Sequence, residues 1–294
     1  MIAGKPRSIR IAAVAVALLL AACEPGVLNP AGPVAAGERT VLLNSLVIML
    51  GIVIPTIVAT LAFAWWFRAG NTRATYLPTW TYSGRVELLV WSVPALVVIF
   101  LAGITWIGSH DLAPEKPLAS KVAPIEVQVV ALDWKWLFIY PGQNVATVNR
   151  LVIPVGTPVR FRITSGTVMN SFFVPQLGSQ IYAMSGMDSR LHLQADQPGS
   201  YRGMSAHYSG EGFADMNFVV DAVPRAQFAG WVAQTRAAGP LLDGPGFAEL
   251  AREASSVKTP FSYRAVLPGL YDRIVAHAGA AVRDTADSGR EDKK

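Results

Sequence analysis

The sequence predicts a membrane-anchored α+β protein: a two-helix transmembrane hairpin, then an antiparallel β-sandwich, then a short helical C-terminal extension. Three observations carry this. Two long segments are almost free of charge, and each exceeds the ~20 apolar residues that a helix needs to cross a bilayer core. From Pro124 to about residue 223 the pattern changes to a period of two, apolar and polar in alternation, punctuated by turn residues. The composition, 52% hydrophobic with 15% charged, is too apolar for an ordinary soluble protein and too polar for a chain made only of membrane spans. The net charge of +5 is spread along the chain, so no nucleic-acid surface is expected.

Residues 1–22 read as a lipoprotein signal peptide. Lys5, Arg7 and Arg10 form its basic region, and Ile11 to Leu20 its apolar core, which is too short to be a bilayer span. Leu20-Ala21-Ala22-Cys23 resembles the bacterial lipobox, in which the Cys takes acyl chains (palmitate among them) and becomes the mature N-terminus. Cys23 is therefore the expected lipid anchor. A plain small-residue cleavage site with an incidental Cys is the other reading. This is the single cysteine of the chain, which excludes an internal disulfide and any two-thiolate metal site within it. Residues 23–40 are rich in Pro and Gly and read as an extended linker.

The first span is placed at residues 41–67. Trp65, Trp66 and Phe67 followed by Arg68 give the aromatic belt and basic flank of a membrane interface. Pro55 lies inside the span, where neighbouring helices can accommodate it. The loop, residues 68–87, carries Arg68, Arg73 and Arg85 and no acid before Glu87. By the positive-inside rule it faces the cytoplasm. The second span, residues 88–108, contains Pro94 and Trp106. Both ends of the hairpin thus return to the outside, which predicts a bacterial inner-membrane protein with anchor and C-terminal domain in the periplasm. Glu87 stands at the cytoplasmic start of the second span. An ionisable group there is a functional candidate; a carboxylate favoured by the helix dipole is the structural alternative.

The sandwich is placed at residues 120–223. Ile125 to Val129 and Val159 to Thr164 alternate, and Pro141-Gly142, Gly178 and Pro198-Gly199 mark turns. Within it, Asp133 to Tyr140 is an aromatic cluster. Trp134, Trp136 and Tyr140 are expected to pack the core and a subunit interface. Residues 224–278 turn helical and aromatic-rich, with Phe228, Trp231, Val232 and Thr235 near helical spacing and a second helix at Phe247 to Ala254. Residues 279–294 are charged and small, the composition of a disordered tail.

The most specific stretch runs from Val168 to Met216. It holds NSFFVPQLGSQIYAMSG from Asn170 to Gly186 and YRGMSAHYSGEGFADM from Tyr201 to Met216. Here, and over nearly its whole length, the chain resembles subunit II of the haem-copper terminal oxidases. The resemblance sharpens the sandwich to a cupredoxin-like Greek key. Copper-bearing members of that family place a His before the Ser-aromatic-x-Val-Pro run. They then use a Cys-x-x-x-Cys loop with a following His and Met to hold two copper ions. In this sequence the His position is Asn170, the Cys positions are Ser205 and Ser209, and the second His position is Phe213. Met216 keeps the ligand type. His207 falls where the family contributes a backbone carbonyl. A copper pair needs soft thiolates to bridge the metals; serine offers a hard hydroxyl and phenylalanine no donor.

That pattern resembles the quinol-oxidising branch, the bo-type ubiquinol oxidases. The resemblance implies a non-catalytic subunit of a proton-pumping oxidase in the aerobic respiratory chain, binding no cofactor or metal itself. Haems and copper would lie in subunit I, the main partner, beside further small membrane subunits, membrane lipid and ubiquinol as the substrate of the complex. It also places Glu87 near the mouth of a proton-uptake channel. Two other readings stay open: a copper-binding, electron-accepting subunit II of a cytochrome c oxidase, or a stand-alone membrane lipoprotein. His207, Met216 and Asn170 would make only a thin single-metal set, and a solvated loop histidine is the simpler reading of His207.

Overall fold

The computed structural model describes residues 26–75, 77–252, 257 and 259–279. The signal peptide, Cys23 and the tail from residue 280 lie outside the described residues. Two helices, α1 (Pro33–Trp66) and α2 (Gly84–Asp111), are long and apolar enough to cross a membrane, and their most apolar windows are wholly unburied within the chain. Helices apolar on every side need hydrocarbon or a protein partner around them.

α1 begins at Pro33, so residues 33–40 are helical and correct the expectation of an extended linker. Pro33 has its φ pre-set for the first helical position and lacks an N–H that would need a partner there. The first turn is also docked on the sandwich. Ala31 N–H donates to Gln176 C=O at 2.8 Å, Asp196 N–H to Ala31 C=O at 2.8 Å, and Ala35 N–H to Leu177 C=O at 3.3 Å. Val34 and Ala35 are buried, and the Ser179 hydroxyl donates to Glu38. The fit is close: a Cβ on Gly32 would stand 2.0 Å from the Gln194 carbonyl oxygen. The membrane hairpin and the sandwich are therefore joined by a firm backbone seam.

The sandwich strands are β1 (Ile125–Leu132), β2 (Lys135–Tyr140), β3 (Val145–Val148), β4 (Arg150–Pro154), β5 (Val159–Ser165), β6 (Asn170–Phe173), β7 (Ile181–Ala183), β8 (Ser189–Leu193), β9 (Gly199–Ser205) and β10 (Asn217–Val223). The extension adds α3 (Arg225–Ala237), β11 (Leu241–Leu242), α4 (Gly244–Ala251), β12 (Phe261–Tyr263), β13 (Ala265–Val266) and helical residues 270–279. One sheet runs β12-β3-β2-β1-β5-β8 and the other β4-β10-β9-β6-β7. β1 pairs with β5, and β4 with β10, in parallel. The expected antiparallel sandwich is thus a mixed one. Alternation along a strand reports which face is buried, not the direction of its neighbour.

Between the sheets lies an aromatic core of Trp136, Phe138, Phe161, Phe172 and Phe218. Phe172 and Phe218 stack at 5.1 Å and 16°. Gly203 admits this stack, since a Cβ there would lie 2.1 Å from the Phe218 ring.

A second cluster covers the other face of β1, β2 and β3. Val130, Leu132, Leu137, Ile139 and Val148 pack against Leu242, Leu250, Leu270, Tyr271 and Ile274 from the extension. Every residue of β2 is consequently buried. The extension, expected to be helical, also contributes a strand: β12 pairs antiparallel with β3 and widens the first sheet. Its three residues are too few to show a period. Arg162 fastens the last helix. It bonds Asp188 and Asp272, both at 2.9 Å, and lies 4.8 Å over the Tyr271 ring.

Candidate functional site

The loop from Ser205 to Met216 joins β9 to β10 beside the start of β6. β6 pairs antiparallel with β9, with Phe172 opposite Ser205. Asn170, first in β6, lies two residues beyond that pair, and its side chain reaches back to Ser205, the last residue of β9. The Ser205 hydroxyl donates to Asn170 Oδ1 at 3.1 Å and lies 3.2 Å from the His207 carbonyl. The Asn170 amide donates to Val168 C=O at 3.1 Å. The Ser209 hydroxyl lies 3.9 Å from the Met216 sulfur. A short 3-10 turn, Glu211–Asp215, delivers Met216 into the interior. Asn170, Ser205 and Met216 are buried.

Two of the six sequence-predicted positions are turned aside. Phe213 packs edge-on against Tyr208 at 5.6 Å, and the His207 imidazole packs edge-on against Tyr182 at 6.0 Å. His207 contributes its carbonyl to the cluster, not its ring. The remaining polar groups satisfy one another: hydroxyl to amide, hydroxyl to carbonyl, hydroxyl to thioether. Such a set holds a loop shut in the way that a buried polar network does. It does not fit a thiolate-bridged copper pair, which needs two sulfur anions and imidazoles. Among the described residues, no group of three or more His, Cys, Asp or Glu is placed to hold a metal ion.

The aromatic cluster divides in two. Trp136 and Tyr140 are core. The Tyr140 hydroxyl donates to Val152 C=O at 3.0 Å and accepts from Val152 N–H at 2.8 Å, and burial pushes its phenol up from the ordinary value. Trp134 belongs to the site instead. It occupies the tight turn between β1 and β2 with φ of +57°, a conformation uncommon for a bulky residue. Its indole N–H donates to Ser209 C=O at 3.3 Å. Gly212 lies so close under the ring that a Cβ there would stand 2.3 Å from it. Trp134 braces the loop from outside, a role that residue order alone did not separate from core packing. The glycines at 210 and 212 were the available signal.

Glu87 lies elsewhere. It is in the first turn of α2, its N–H donating to Ser83 C=O at 3.0 Å. The sandwich follows the other end of that helix, about 40 Å away at 1.5 Å per residue.

Residues 125–223 match the family described as cytochrome c oxidase subunit II, periplasmic domain. The ubiquinol oxidase subunit 2 of Acetobacter aceti is 50% identical over 272 residues, which cover 92% of this chain and 88% of that protein. The chain belongs to the ubiquinol oxidase subunit 2 family. Other members of the family extend the likeness. The cytochrome bo(3) ubiquinol oxidase subunit 2 of Pseudomonas aeruginosa is 48% identical over 259 residues, 88% of this chain and 78% of that protein. The quinol oxidase subunit 2 of Bacillus cereus is 34% identical over 248 residues, 83% of this chain and 85% of that protein. As a subunit 2 of this family, the chain joins two membrane-spanning helices to a cupredoxin-like sandwich and fits an inner-membrane protein with a periplasmic-type domain.

Proposed function

We infer that the chain serves as subunit 2 of a proton-pumping ubiquinol oxidase, which oxidises quinol and reduces oxygen to water in the aerobic respiratory chain. The observation that carries the finer reading is the pairing of Ser205 with Asn170 and of Ser209 with Met216. Hydroxyl and amide stand where copper-bearing relatives use sulfur and imidazole. In this reading the subunit holds no redox centre, and haems and copper belong to subunit I. Quinol reaches the complex within the bilayer, so a water-facing domain needs no electron port. α1 and α2 pack against subunit I, lipid and further small subunits, while the sandwich covers the outer face. Cys23 carries acyl chains at the periplasmic surface.

Purified complex should oxidise ubiquinol and leave reduced cytochrome c untouched, and this subunit, separated from subunit I, should carry no copper. A copper pair on the subunit, or cytochrome c turnover through it, would reverse the reading. Glu87, at the cytoplasmic end of α2, is assigned to proton uptake by subunit I. Glu87→Ala is then expected to slow quinol turnover several-fold with the haem content of the complex unchanged. Full proton-coupled turnover in that variant would remove Glu87 from the path and leave it the role of a helix N-terminal carboxylate.

A further inference from the structure

The end of α1 and the loop that follows it line an open cleft of about 670 Å3. Its lining includes the apolar Phe63, Phe67, Leu77 and Trp80, and with them Arg68 and Asn71. These four apolar residues are largely exposed in the chain alone.

The described parts of the loop on either side of residue 76 are turned rather than slack. Asn71 N–H donates to Arg68 C=O at 2.9 Å, and Trp80 N–H to Leu77 C=O at 3.2 Å. The Asn71 side chain donates to Trp66 C=O and accepts from Arg73 N–H. Arg68 donates one bond to Trp65 C=O at 2.8 Å, and its guanidinium lies 4.9 Å from the Trp65 ring centre. A stacked and tethered arginine loses less freedom on meeting an anion than a free one.

Position and charge narrow the occupant. The cleft lies at the end of α1 opposite the periplasmic-type domain, at the cytoplasmic boundary of the membrane. From Arg68 to Val86 the chain has three arginines and no acid. A soluble anion has no use for four apolar walls. A neutral apolar molecule has no use for the cations. A molecule with an anionic head and hydrocarbon tails uses both. We propose that this cleft seats one acidic phospholipid of the cytoplasmic leaflet, with acyl chain against Phe63, Phe67, Leu77 and Trp80 and phosphodiester on Arg68. Arg73 and Arg85 raise the local potential and favour an acidic over a zwitterionic head. The assignment rests on the hairpin topology and is independent of which electron donor the complex uses.

The test uses the intact oxidase in bilayer discs of mixed phosphatidylglycerol and phosphatidylcholine, with retained lipid counted by native mass spectrometry. The unsubstituted complex should hold phosphatidylglycerol in preference, and the preference should fall as ionic strength rises. Arg68→Gln should weaken the preference about five-fold, the effect of one basic residue near an anionic surface, while Arg68→Lys keeps most of it. Haem content and quinol turnover report assembly of each variant. Equal retention of the two lipids by the unsubstituted complex, or retention indifferent to salt, overturns the proposal without recourse to any variant. So does a side chain of subunit I found seated in the cleft.

Discussion

Phe172→Ala is expected to lower the stability of the sandwich by about 3–5 kcal/mol, the range for removing a large aromatic side chain from a packed core. The ring is fully buried. It meets Trp136 at 5.5 Å, Phe161 at 5.4 Å, Phe138 at 6.4 Å and Phe218 at 5.1 Å. Four rings around one side chain leave little room for collapse, so the cavity persists and its cost adds to the lost transfer energy. Phe172 also stands opposite Ser205 in the β6–β9 register, so the loop at Ser205 should loosen with the core. Calorimetry of the whole chain in detergent micelles measures the drop. Tyr182→Ala, at a 47% exposed residue on the neighbouring strand, serves as the comparison and should change stability by no more than about 0.5 kcal/mol. A Phe172→Ala loss below about 1 kcal/mol would mean that the two sheets close over the gap.

The hairpin was legible because a bilayer imposes two demands that a sequence displays directly, length and freedom from charge. The start of α1 was not legible, because it depends on contacts between Ala31 and residues 176 and 196. Those partners are brought near only by the folded sandwich. The two parallel pairs were hidden for a related reason: alternation fixes the face of a strand and leaves its neighbour open. The cover over β2 did leave a trace. Trp136, Leu137, Phe138, Ile139 and Tyr140 form an unbroken apolar run, the signature of a strand buried on both faces. The extension is what buries the second face. At the site, Asn170, Ser205, Ser209 and Met216 could be named from the resemblance to subunit II of the haem-copper oxidases, and the fold brings them into two contacting pairs. The turning-away of the His207 ring toward Tyr182 could not be named, since it depends on a partner in a separate strand.

The combined substitution of Asn170→His, Ser205→Cys, Ser209→Cys and Phe213→His is expected to turn the loop into a copper-binding site. Four of the ligand positions already meet in pairs. Asn170 and Ser205 are in hydrogen-bond contact, and Ser209 reaches the Met216 sulfur. The change needed is therefore one of donor atoms. Serine oxygen stays protonated in this setting. A cysteine thiol, with a reference pKa of about 8.5, is deprotonated by a coordinating metal. Ser205→Cys alone should fail, because one buried thiol beside an amide offers a single soft donor and breaks the bond to Asn170. Phe213→His is the demanding step. That side chain now packs on Tyr208 and has to swing inward, against the brace that Trp134 applies through Ser209 and Gly212. Copper analysis and near-infrared absorption of the folded variant decide the matter. A quadruple variant that folds with an intact thermal transition yet takes up no copper would show that the loop has lost the shape for the metal, and not merely the sulfur and imidazole that held it.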